Sequence, residues 1–143
     1  MSALKVLIID DNPHARKIAR AIVAGVDGAE VVEAANPKEA IELSRAFQPD
    51  IALVDYEMTP MDGVAFTRLV RSDATPFPRN LPIVMMTGHA DQAHVMQARD
   101  AGVNGFIAKP LSVGMVIRQI ERTMASISPS AAAPPRSANS TWT

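Results

Sequence analysis

Cysteine is absent from this chain of 143 residues, which removes disulfides and thiolate chemistry and agrees with a reducing cytosol. No apolar run approaches the roughly 20 residues that span a bilayer. Met1-Ser2-Ala3-Leu4-Lys5 runs straight into a strand pattern, without signal-peptide features. A charge excess is missing too. The formal charge is −1, and residues 127–143 carry only Arg136, so the remainder carries −2 (−1 minus +1). That is not the basic face of a nucleic-acid binder. His14, His89 and His94 lack a metal-ligand spacing with a carboxylate and read as surface residues. What remains, at 48% hydrophobic and 20% charged, is one globular domain, expected to be cytoplasmic and free of membrane and of direct nucleic-acid contact.

Four short apolar runs organise the rest. Ile51-Ala52-Leu53-Val54 is too short for a helix and reads as a strand buried on both faces. It ends on a carboxylate, Asp55. Val6-Leu7-Ile8-Ile9 ends on two more, Asp10 and Asp11. Ile83-Val84-Met85-Met86 ends on Thr87, and Phe106-Ile107-Ala108 ends on Lys109-Pro110. Glu30-Val31-Val32-Glu33-Ala34 reads as a further short strand.

Helical patterns alternate with these strands. Asn12-Pro13 and Asn36-Pro37-Lys38-Glu39 are helix starts, the second with Glu39 placed as in a capping box. Ala15, Ile18, Ala19, Ile22 and Val23 form the inward face of the first helix; Ala40, Ile41, Ser44 and Phe47 that of the second; Phe66, Leu69 and Val70 that of the third. The fourth, from about Asp91 to Ala101, has a thin stripe of Ala93, Met96 and Ala101, so packing should hold it weakly. Ser112 starts the last, with Val113, Val116, Ile117, Ile120 and Met124 inward. Five strands alternating with five helices require a parallel α/β sheet covered on both faces, with its strand ends on one rim. From residue 127 the composition turns to Ser, Ala, Pro and Thr with a single Trp142, the pattern of a disordered tail, and no second domain is expected after it.

Three carboxylates, a hydroxyl and an amine at one rim suit phosphoryl chemistry. Crowded carboxylates favour a hard cation such as Mg²⁺. An ammonium can hold a phosphoryl oxygen as a point charge, and a carboxylate can act as nucleophile and form an acyl phosphate. Asp55, alone at the middle strand, is the candidate nucleophile, and Asp10 and Asp11 the candidate metal holders.

Ile9-Asp10-Asp11-Asn12, Val54-Asp55-Tyr56-Glu57-Met58 running on to Met61-Asp62-Gly63, Met86-Thr87-Gly88 and Phe106-Ile107-Ala108-Lys109-Pro110 together resemble the receiver domain of two-component response regulators, over about residues 4–126. The resemblance implies a CheY-like, flavodoxin-like sandwich with strand order 2-1-3-4-5, a receiver over 1–126 and a tail over 127–143. It implies that Asp55 accepts phosphate from a histidine kinase or phosphotransfer protein. Asp11, Asp55 and the Glu57 carbonyl would bind Mg²⁺, with Asp10 acting through water. Lys109 would contact the phosphoryl group, and a cis bond would precede Pro110. It further implies a switch in which Thr87 swings toward the phosphoryl oxygens and Phe106, a Phe where Tyr is common, turns inward. Glu57 and His89 occupy the positions that tune phosphate lifetime. Gln92, Val95, Met96, Arg99, Asn104, Gln119 and Arg122 are the candidate face for a downstream protein, or for a weak homodimer. Thr59-Pro60 departs from the family, which often has proline directly after the Met58 position.

Each piece alone has a plainer reading: Asp10-Asp11-Asn12 as helix caps, Asp55 as a strand terminator, Lys109-Pro110 as a turn, Thr87 as structural, Phe106 as core. Two other functions use the same fold. A phosphate-independent adaptor needs none of these side chains, which argues against it here. A phosphatase would want a general acid, which Glu57 could supply, but no glycine-rich or second basic phosphate site accompanies it. The expectation is therefore a switch, not an enzyme acting on a separate substrate.

Overall fold

Period-two alternation along each strand sorts the apolar side chains into two layers. The computed structural model describes residues 3–26 and 28–127; the tail expected beyond, with Trp142, lies outside the described residues. The strands are β1 (Lys5–Ile9), β2 (Glu30–Ala34), β3 (Ile51–Asp55), β4 (Ile83–Thr87) and β5 (Gly105–Ala108). Between and after them come α1 (Pro13–Val23), α2 (Pro37–Leu43), α3 (Gly63–Arg71), α4 (Gln92–Ala101) and α5 (Val113–Ser126). All strand pairs are parallel, in the order β2-β1-β3-β4-β5. Leu7, Ile9, Ala52, Val54, Ile83 and Met85 face α2, α3 and α4. Val6, Ile8, Leu53, Val84, Met86 and Ile107 face α1 and α5. Every residue of β3 and β4 is buried, as central strands covered on both sides must be.

The order places β1 beside β3, and the connections leave that pair in opposite directions, opening a crevice at the strand ends. Asp10 follows β1 and Asp55 ends β3, so both line it. The helix starts are local: Asn12, Asn36, Asp62, Asp91 and Ser112 each accept a backbone N–H of the following turn. Glu39 reaches back to the Ala35 N–H at 2.8 Å, one residue short of the usual capping-box partner.

Three helix faces differ from the sequence expectation. Ile18 is 43% exposed, because α1 turns Ala19 and Val23 toward the sheet. On α4 the buried residues are Ala98 and Ala101, while Ala93 and Met96 face outward, so the inward stripe is set by the C-terminal half of the helix. Gly102 ends the helix at φ 106°, its N–H on the carbonyls of Ala98 and Arg99. Val113, in the first turn of α5, is exposed, because the helix turns Val116, Gln119, Ile120 and Thr123 inward. Two core residues, Phe77 and Leu81, come from the proline-rich loop that carried no periodic signal.

Gly63 lets the loop after β3 fold tightly onto the strand end. Its N–H donates to the Tyr56 carbonyl at 2.9 Å, and a Cβ there would lie 2.5 Å from the Asp55 carbonyl oxygen and 2.6 Å from Met85 Sδ. Alanine is the better helix former, but overpacking of this kind costs about 1–3 kcal/mol and outweighs that gain. Gly63→Ala should therefore lower the urea midpoint; an unchanged or higher midpoint would refute the close approach.

Candidate functional site

β1, β3 and β5 deliver the charged side chains to one point. Asp10 and Asp55 are 1% and 3% exposed, Asp11 is exposed, and carboxylate oxygens of the three lie within 4.8 Å of one another. Lys109 Nζ bridges the buried pair, 3.2 Å from Asp10 Oδ2 and 3.1 Å from Asp55 Oδ1. The other Asp10 oxygen accepts the Asn12 N–H at 3.0 Å, and the Arg16 guanidinium donates to the Asp10 carbonyl at 2.7 Å. Arg16 and Arg20 pair in turn with Glu33, holding α1 against β2. Sequence periodicity shows Arg16 only as a polar face; its role comes from the turn beside it.

Burial pushes the Asp55 carboxyl up from its ordinary 3.8 to about 6, the negative charge of Asp10 adds to this, and Lys109 opposes both. For Lys109, burial pulls the amine down, but Asp55 and Asp10 outweigh it and hold the pKa above its ordinary value. An acid poised this way can gain and lose its proton close to neutral pH beside a fixed cation. The donor set is three carboxylates, all hard oxygen, which fits a hard divalent cation.

Thr87, fully buried at the end of β4, is brought to the same rim but turned toward Glu57. Its hydroxyl donates to Glu57 Oε2 at 2.5 Å and accepts the His89 N–H at 2.9 Å. His89 Nδ1 lies 3.4 Å from the same Glu57 oxygen. The His89 and His94 rings stack with centroids 5.6 Å apart, and His94 Nδ1 sits 2.8 Å from the Asp91 carboxylate. Tyr56, edge-on to His94, donates its hydroxyl to Gln97 Oε1 at 2.6 Å. Reading residues as separate surface positions missed this chain from β3 to α4. Asp55 pairs with Met86, which brings Tyr56 and the Glu57 that follows it level with the end of β4, a proximity that no local sequence signal carries.

The Lys109–Pro110 bond is cis, and so is Thr59–Pro60. Phe106 is half-buried and, with Val95, Met115, Arg118 and Arg122, lines a groove of about 280 Å³ between α4 and α5. Of the candidate partner face, Gln92, Met96 and Arg99 are exposed and Val95 and Arg122 half-buried. Asn104 is half-buried too, but lies apart from these. It stands at the opposite end of β5, where its side-chain oxygen accepts from Arg71 and from the Ile83 N–H, both at 2.9 Å. Gln119 is only 7% exposed, because its helix position turns it against Gly105 of β5.

Comparisons with known proteins identify the family and the fold. A family model described as the response regulator receiver domain matches residues 6–121. The chemotaxis protein CheY of Pseudomonas aeruginosa is 29% identical over 119 residues, covering 83% of this chain and 94% of that protein. The response regulator protein VraR of Staphylococcus saprophyticus is 32% identical over 121 residues, covering 84% of this chain and 56% of VraR. A two-component response regulator of the LuxR family from Aurantimonas sp. superposes with a TM-score of 0.77 at 29% identity, over 92% of this chain and 94% of that one. Acids after β1 and at the end of β3, a hydroxyl ending β4 and a lysine after β5 thus sit on a fold shared with these regulators, and the chain belongs to the response regulator receiver family of two-component signalling.

Proposed function

We propose that the protein is a phosphorylation-controlled switch in which Asp55 is the phosphoacceptor. The observation that carries this reading is a buried carboxylate beside two others with an ammonium 3.1 Å away. One Asp55 oxygen attacks phosphorus as the bond from phosphorus to the donor's imidazole nitrogen breaks, and the electron pair leaves with that nitrogen. Lys109 neutralises charge on the phosphoryl oxygens, and the Thr87 hydroxyl is the further donor. Asp10, Asp11, Asp55 and the Glu57 carbonyl would hold Mg²⁺, which when bound supplies positive charge against the same oxygens. Glu57 and His89, both in contact with Thr87, would set the lifetime of the acyl phosphate by orienting or obstructing the attacking water.

The donor would be a histidine kinase or phosphotransfer protein, and the reader a protein bound at the α4 and α5 groove next to Phe106. The chain acts as a signal rather than as a turnover catalyst, in the cytoplasm, as a monomer or weak dimer. Among the described residues no helix is long and apolar enough to cross a membrane.

Acetyl phosphate with and without Mg²⁺, read by intact-mass spectrometry, tests the reading. One added phosphoryl group that requires Mg²⁺ and is absent in Asp55→Asn is the expected result. If neither an adduct nor beryllofluoride binding is found, the reading fails in favour of a phosphate-independent adaptor.

A further inference from the structure

We propose that the Glu57 carboxylate is a latch on Thr87: it holds the one hydroxyl proton of that residue away from the phosphoryl position and so sets the energy of switching. The inference rests on the phosphoacceptor reading of Asp55 and adds a positioning residue to it. A threonine has a single O–H to donate. Here that proton is committed to Glu57 Oε2 at 2.5 Å, a short bond to an ionisable acceptor. The oxygen also accepts the His89 N–H at 2.9 Å, which occupies one of its lone pairs. Thr87 is fully buried, so no bulk water competes, whereas the Glu57 side chain is 39% exposed and keeps part of its hydration. The hydroxyl is thus clamped on both its donor and its acceptor side.

A phosphoryl group on Asp55 offers only acceptor oxygens. It obtains the Thr87 proton by displacing Glu57, so the two compete for one donor. Once displaced, Glu57 also loses its place beside His89, whose ring stacks on His94 at the first turn of α4. Helix α4 buries only Ala98 and Ala101, so polar contacts at its start weigh heavily in its position. The latch therefore joins the state of the rim to the placement of α4.

A double-mutant cycle tests this with beryllofluoride and Mg²⁺ as the acyl-phosphate mimic, with affinity read by amide shifts. Glu57→Gln keeps the shape but weakens the hydrogen bond, and about a tenfold gain in mimic affinity is expected. Glu57 also repels a second anion near Asp55 by charge alone. In a Thr87→Val background only that repulsion remains, so the gain from Glu57→Gln should fall to about threefold or less. An equal gain in both backgrounds overturns the latch and leaves simple repulsion. If the wild type fails to bind the mimic at all, the phosphoacceptor reading falls by itself. The latch is then decided on the free protein, where couplings of the Thr87 methyl should report one rotamer in the wild type and averaging in Glu57→Gln. A single unchanged rotamer in that variant overturns it.

Discussion

Asp55→Asn is expected to abolish phosphoryl acceptance and, at the same time, to stabilise the metal-free fold at neutral pH. Burial, assisted by the charge of Asp10, raises the Asp55 pKa to about 6 in the folded chain, from 3.8 when unperturbed. Between those values the folded protein holds a proton that the unfolded chain has released. Stability therefore falls as pH rises from about 4 to about 6 and stays level above. A shift of about 2 units is worth about 3 kcal/mol. Asparagine removes the buried charge while keeping an oxygen that can accept from Lys109, so a gain of about 1–3 kcal/mol is expected at pH 7.5. Urea unfolding without metal should show that gain at pH 7.5 and little of it at pH 4.5. A variant no more stable than the wild type at pH 7.5 would mean that the ionised carboxylate carries no burial cost.

Lys109→Met should act with the opposite sign. The amine bridges Asp10 and Asp55 at 3.2 and 3.1 Å, and removing it leaves two buried carboxylates without their cation. Breaking one side of such a cluster costs about 2–4 kcal/mol at pH 7.5. The folded pKa of Lys109 is raised, so its own contribution is complete below the ordinary 10.5 and is lost only as pH rises through the folded value. The pH dependence between 5 and 7.5 therefore belongs to the carboxylates. The penalty should shrink toward pH 5, where Asp55 takes up a proton, and Mg²⁺ should recover part of it at pH 7.5. Uptake from acetyl phosphate should drop as well, because one neutralising charge at the phosphoryl oxygens is gone. A Met variant as stable as the wild type at pH 7.5 without metal would show that the bridge contributes nothing.

The contrast between these two variants comes from one fact of geometry. Asp55 is a charge the fold accommodates at a cost, and Lys109 is the charge that offsets it.

How much of this was legible in the chain depends on the distance over which each feature is determined. The strands were readable because four or five apolar residues bounded by polar ones have no other stable use. The chain order of their terminal residues placed Asp10, Asp55, Thr87 and Lys109 on one rim once the sheet was taken as parallel. Caps such as Asn12 and Asn36 were equally local. Side-chain partners were not. Asn104 reads as a polar surface residue, yet it satisfies Arg71 and the start of β4 across the fold. Gln119 reads the same way and is buried, since a helix face is set by the sheet it meets. Fold class, strand ends and the acidic rim follow from local periodicity and chain order, so the residues alone disclose them. That Thr87 faces Glu57 emerges only in the folded chain, because it depends on the register of β3 against β4 and on rotamers that no single segment fixes.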